Sequence, residues 1–278
     1  MFQIQKNALS DDLKAHDKQV IREDTPLPSS SSGIISLFVG VKGSGKTSVI
    51  LSLLKSKHSP YRKIYDRIYL FSPTGFKDKK LSPLVEELDE YGNYYPELSN
   101  DNLSEVLSKI EDFNREYIEE QLKDSDDEEE ENLHPAVKGT PKLPEEEKPA
   151  KKSKPKILRD PRSLVILDDC IHAISDTKKG NPLKQLATQS RHFKTDLWIS
   201  TQKYNALPVI LRLQSDTLSC FKCHNEKEFQ TISNDWSIDR ELLKNVYDFA
   251  TSEPNSFLHV SFFSGKPTFY KKYDKILI

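Results

Sequence analysis

Gly33-Ile34-Ile35-Ser36-Leu37-Phe38-Val39-Gly40-Val41-Lys42-Gly43-Ser44-Gly45-Lys46-Thr47-Ser48 is the stretch on which the reading of this 278-residue sequence turns. Ile34 to Val39 is an apolar run of the length expected for a buried parallel strand, and it ends on glycine. Gly40 to Thr47 then places glycines, a lysine and a hydroxyl at the spacing of a phosphate cradle. The glycines let backbone N–H groups converge on phosphate oxygens, and a helix expected over Ser44 to Ser56 adds the positive end of its dipole. Lys46 would reach the β- and γ-phosphates and the Thr47 hydroxyl would ligate Mg2+. The candidate nucleotide-binding residues are therefore Gly40, Val41, Lys42, Gly43, Ser44, Gly45, Lys46, Thr47 and Ser48, with ATP and Mg2+ as the expected ligands.

A second apolar run, Leu164-Val165-Ile166-Leu167, ends in Asp168-Asp169. A buried strand that delivers two carboxylates at its C-terminal edge completes the chemistry of such a cradle. Asp168 is expected to hold Mg2+, and Asp169 to polarise a water for attack on the γ-phosphate. The alternative is a turn acid that caps the next helix. Gln202 follows the next expected strand, Asp196 to Thr201, where it could touch both γ-phosphate and water. Arg191 and Arg212 flank that strand, and either could neutralise charge on a neighbouring subunit's nucleotide; a surface ion pair is the alternative for each.

The set Gly40 to Thr47, Ile166-Leu167-Asp168-Asp169-Cys170, Arg191-His192, and Thr201-Gln202 with Pro208 and Arg212 resembles the genome-packaging ATPases of poxviruses, other large DNA viruses and virophages, within the FtsK/HerA superfamily of DNA-pumping motors. The resemblance spans Gly33 to Phe221, apart from an insertion. It implies a three-layer α/β P-loop NTPase fold of RecA/FtsK type. It further implies a homo-oligomeric ring, an arginine finger in trans with Arg212 as first choice, and ATP-driven movement of double-stranded DNA into a capsid. Capsid or vertex proteins would be partners, and the host cytoplasm, viral factory or virion the location. Ser190 stands where the family usually has glycine, and Gln214 where asparagine is frequent.

The remaining sequence frames this core. Residues 1–32 read as a flexible leader with one short helix from Leu9 to Ile21, and 33–278 as one ATPase domain. Strands are expected at Arg67 to Phe71 and Thr217 to Phe221, a helix at Asn205 to Leu213 opened by Pro208, and a terminal hairpin from Phe257 to Phe263 and Thr268 to Tyr273. Leu103, Val106, Leu107, Ile110, Phe113 and Tyr117 recur at helical spacing, with Asn102 and Glu105 in the form of a capping box. From about 123 to 160 the acidic run and the prolines have almost nothing to bury, so disorder is expected. The alternation of strand and helix predicts a mainly parallel sheet covered on both faces.

Composition excludes several classes. Net charge is −2, and the stretch from Gln121 to Asp160 carries nine basic and eleven acidic residues, so the remainder balances at zero. No whole-protein positive field is available, and any DNA contact must be local; Lys77, Lys79 and Lys80 are the candidates. No apolar stretch reaches membrane-spanning length, and the first residues lack a signal-peptide core, so a non-secreted protein is expected. Three cysteines do not make a disulfide framework. Cys220, Cys223 and His224 match a c-type haem attachment string, or part of a zinc site with Cys170 or His172, but buried thiols are the default. Trp198 and Trp236 read as packing residues. A small-molecule or nucleotide kinase would need an arginine-rich lid, a GTPase a guanine-reading Asn-Lys-x-Asp string, and a non-catalytic ATP-binding scaffold would not need the acid pair; none fits as well as an ATPase.

Overall fold

The computed structural model describes residues 33–57, 59, 61, 64–130, 160–170, 181–222, 226–262 and 265–277, with the side chains of 121–130 outside the description. The expected leader, residues 131–159 of the expected insertion, and Cys223 with His224 fall outside these residues. Among the described residues nine strands form one sheet: β1 (Ile35–Val39), β2 (Arg67–Phe71), β3 (Tyr94–Tyr95), β4 (Ser163–Asp168), β5 (Thr195–Thr201), β6 (Thr217–Phe221), β7 (Phe257–Ser261), β8 (Thr268–Lys271) and β9 (Asp274–Lys275). Their spatial order is β3-β2-β4-β5-β1-β6-β7-β8-β9. The six from β3 to β6 in that order pair in parallel, and β7, β8 and β9 add antiparallel at one edge. The helices are α1 (Lys46–Lys55), α2 (Ser82–Glu90), α3 (Asn100–Glu130), α4 (Pro182–Gln189), α5 (Val209–Leu213), α6 (Glu226–Asp235) and α7 (Arg240–Ala250).

Alternation along the central strands produces the three layers. Leu37, Val39, Val165, Leu167, Leu197 and Ile199 face one way and pack with α3, α4, α6 and α7 through Val106, Ile110, Leu186, Ile232 and Leu243. Phe38, Leu70, Leu164, Ile166 and Trp198 face the other way, under Ile50 and Leu53 of α1 and Leu84 and Val85 of α2. Trp198 meets Phe38, Tyr61 and Tyr65 at ring-centroid distances of 5.9, 6.1 and 5.9 Å, a packing residue as expected. Trp236 is also buried and donates its indole N–H to Tyr204 Oη at 2.9 Å.

Two local expectations are corrected, and one helix runs on further than its apolar spacing marks. Ser99, not Asn102, caps α3: its Oγ accepts the Asn102 N–H at 3.1 Å, while Glu105 bonds the Tyr95 hydroxyl and pairs with Lys109 one turn on. The same helix runs through Glu130, into the acidic stretch expected to be disordered from 123; glutamate is a good helix former, and no proline intervenes before Pro135. The single helix expected at Asn205 to Leu213 is a 3-10 turn, Tyr204–Ala206, followed by α5. Pro208 forces the preceding Leu207 into an extended conformation (φ −74°, ψ 136°), which breaks the two apart.

At the N-terminal edge of the sheet, the buried Asp196 and the half-buried Asp216 hold the start of β1. Asp196 accepts the Ile34 N–H at 2.7 Å and the Tyr65 hydroxyl at 2.8 Å; Asp216 accepts the Ile35 N–H at 2.9 Å. Burial pushes Asp196 up to about 7 and Asp216 up to about 6, against these hydrogen bonds and against Arg162 and Arg191, respectively. Folded-state values above the unfolded carboxylate value of about 3.9 mean that the folded chain binds more protons, so stability falls as pH rises from about 4 through these values. Asp196→Asn keeps an acceptor for Ile34 and removes the ionisation. Its stability relative to the unaltered chain is expected to improve with rising pH, by up to about 1.4 kcal/mol per pH unit between about pH 4 and 7 in denaturant titrations; a pH-independent difference would contradict this account.

Candidate nucleotide site

The turn from β1 to α1 takes its shape from its glycines. Gly45 sits at φ 105°, a left-handed conformation in which a side chain is strained, and it opens α1. Gly40 is closed in instead: a Cβ there would lie 2.6 Å from the Phe221 Cβ and 2.7 Å from Ser44 Oγ. The Gly40 N–H donates to Thr201 O at 3.1 Å, tying the loop to the end of β5. Lys46 is buried and folds back over the loop, its ammonium donating to Gly40 O at 2.8 Å. Burial lowers its pKa, while the charges of Asp169 and Asp168 work in the opposite direction. Val41, Lys42 and Gly43 are exposed, Ser44 is half-buried just before α1, and Thr47 and Ser48 are half-buried in its first turn.

Strand order brings the other half of the site into place. β4 is not the neighbour of β1; β5 lies between them. Gln202, the residue after β5, therefore stands between the glycine turn and the acid pair, and its Nε2 donates to Asp169 Oδ2 at 3.2 Å. Asp169 takes φ 49°, a conformation that aspartate tolerates better than most side chains, and its N–H is held by Ser200 O at 3.0 Å. Burial raises the Asp168 pKa and the nearby Asp169 charge adds to that, whereas the Ser200 hydroxyl and Lys46 oppose it. Asp168, Asp169 and Gln202 line one cleft of about 800 Å3 together with Lys42, Gly43, Gly45, Lys46, Thr47 and Ser48, so nine of the expected site residues converge there.

The cleft fits a divalent cation. Asp168 Oδ1 and Asp169 Oδ1 are buried without a hydrogen-bond partner among the described residues. Two carboxylates are the donor set that Mg2+ takes from protein when phosphates and water supply its other ligands.

Neither arginine lines the cleft of its own chain. Arg212, the first choice for a finger reaching a neighbour, is engaged within its own chain: Nη1 lies 2.8 Å from Asp235 Oδ2, and its guanidinium stacks over Tyr204 at 5.3 Å. With side chains 12% and 18% exposed, this pair is largely withdrawn from solvent. Arg191 is exposed and lies before β5, at the end of the sheet opposite the cleft. Lys77, Lys79 and Lys80, expected as DNA contacts, line the cleft itself; sequence reasoning missed this because the loop's position depends on strand order. Cys170 and Cys220 are buried thiols, and burial raises the Cys170 pKa further.

Comparison with solved structures adds a fold match. The genome-packaging NTPase B204 of Sulfolobus turreted icosahedral virus 2, solved in complex with AMP, superposes with a TM-score of 0.51 at 18% identity, covering 88% of this chain and 99% of that one. Its complex with ATP-gammaS gives 0.51 at 18%, over 86% and 97%. B204 of Sulfolobus turreted icosahedral virus, described as a DNA-packaging ATPase, gives 0.51 at 18%, over 85% and 96%. The fold is that of a viral genome-packaging NTPase. The match runs nearly the full length of those chains. No protein-family model and no curated protein matches the sequence.

Proposed function

We propose that this chain is a Mg2+-dependent ATPase that drives double-stranded DNA into a viral capsid. The observation that carries the reading is the Gln202–Asp169 hydrogen bond beside the glycine turn, which joins a water-orienting amide to a carboxylate at the place where a γ-phosphate would end. Asp169 accepts the proton of a water attacking the γ-phosphorus, and Gln202 holds that water in line. Lys46 leaves the Gly40 carbonyl to meet the β- and γ-phosphates and stabilises charge on the departing ADP oxygen. Thr47 and Asp168 are the residues that would hold Mg2+, which supplies charge neutralisation at the same oxygens.

The described lining of the cleft contains no arginine, so the lid that a small-molecule kinase needs has no counterpart there. The packaging role is supported by the fold shared with B204, a genome-packaging NTPase. A ring of identical subunits belongs to the same proposal, with an arginine supplied by the neighbour. The exposed Arg191 takes that role more readily than Arg212, which Asp235 and Tyr204 hold in place. Capsid or vertex proteins are the proposed docking partners, in the host cytoplasm, viral factory or virion. No described helix is long and apolar enough to cross a membrane. The test is steady-state ATP hydrolysis with and without long duplex DNA: stimulation is expected, and a rate indifferent to DNA overturns the motor reading.

A further inference from the structure

The loop after β2 carries lysines that the site as described does not use. It is a built turn: the Lys77 and Asp78 N–H groups donate to Thr74 O at 2.9 and 3.0 Å, and the Lys80 N–H donates to Asp78 Oδ1 at 2.8 Å. Tyr94 braces it from below, through a hydrogen bond to Ser72 O at 2.8 Å and an edge contact with Phe76 at 5.1 Å. The loop also faces the acid pair, since Thr74 and Asp78 line the same cleft as Asp168 and Asp169.

Lys80 reaches out of this turn to the glycine-turn helix. Its ammonium donates to Ser48 Oγ at 3.0 Å, and Ser48 directly follows Thr47 in the first turn of α1. That turn is where a helix N-terminus faces phosphate oxygens. An ammonium has three N–H donors, and Ser48 takes one among the described residues, which leaves two for the cleft that Lys80 lines.

We propose that Lys80 is a second phosphate-binding cation of this site, which contacts the phosphate chain of a nucleoside di- or triphosphate in cis while Ser48 positions its ammonium. The inference rests on the nucleotide-binding reading above and extends it to a residue outside the glycine turn. A charge-assisted hydrogen bond to phosphate at a partly exposed site contributes roughly a tenfold gain in affinity.

The experiment measures Kd for ATP and ADP in the full chain, the Lys80→Gln variant and the Lys80→Arg variant, across a salt series. Lys80→Gln is expected to weaken both nucleotides about tenfold at low salt, with the gap narrowing as salt screens the charge, and Lys80→Arg to recover most of the loss. Unchanged affinity in Lys80→Gln overturns the proposal; if DNA stimulation falls in that variant instead, the loop is a DNA contact. A loss that Lys80→Arg does not repair and salt does not alter overturns it too, because it marks a structural role. An unaltered chain that binds neither nucleotide overturns the function proposed above and this inference together.

Discussion

Asp169→Asn is expected to bind Mg-ATP within about twofold of the unaltered chain and to hydrolyse it some 10²- to 10⁴-fold more slowly, the range over which a positioned general base acts. The asparagine is isosteric, so its Oδ1 can still accept the Gln202 amide, and the backbone bond from residue 169 to Ser200 O is untouched. Only proton acceptance is removed. Phosphate release under saturating ATP, set beside a nucleotide-binding titration, separates the two effects. Unchanged turnover would remove Asp169 from the chemistry and return it to the role of an acid that shapes the turn after β4.

Lys46→Ala should give the largest effect on binding. Two charge-assisted hydrogen bonds to phosphate are lost, so affinity for ATP is expected to fall about a hundredfold and turnover to become undetectable. The same substitution has an unusual signature in stability. Lys46 is buried, and burial lowers its pKa, so the free chain bears the cost of sequestering that charge. Its removal should therefore leave the unfolding midpoint close to that of the parent, distinguishing a dead site from a misfolded chain. A variant that unfolds substantially earlier would show that Lys46 serves the fold, by compensating Asp168 and Asp169.

The glycine turn and the acid pair were legible because their chemistry is written in contiguous residues. Gly40 to Thr47 must be a local string, and the strands that carry it and Asp168 announce themselves as apolar runs. What could not be read was anything that depends on which strand lies beside which. The placement of β5 between β1 and β4 makes Gln202 a partner of Asp169, and the same arrangement sets Lys80 against Ser48. Arg212 illustrates the limit from the other side: its spacing after Gln202 is suitable for a finger, but Asp235 and Tyr204 reach it through the fold and hold it within the chain. Short helices such as α2, α4 and α6 span two or three turns each, too little for periodicity to stand out. The extension of α3 to Glu130 shows that an uninterrupted acidic run need not end a helix.

In the proposed reading the glycine turn, Gln202 and the two aspartates act as one Mg2+-dependent triphosphate-cleaving site. Phosphate release from ATP by the purified full chain, with Mg2+ and with a chelator, tests it most directly. Steady release of phosphate that the chelator abolishes is expected. Tight ATP binding with no release in either condition, with or without duplex DNA, would contradict it.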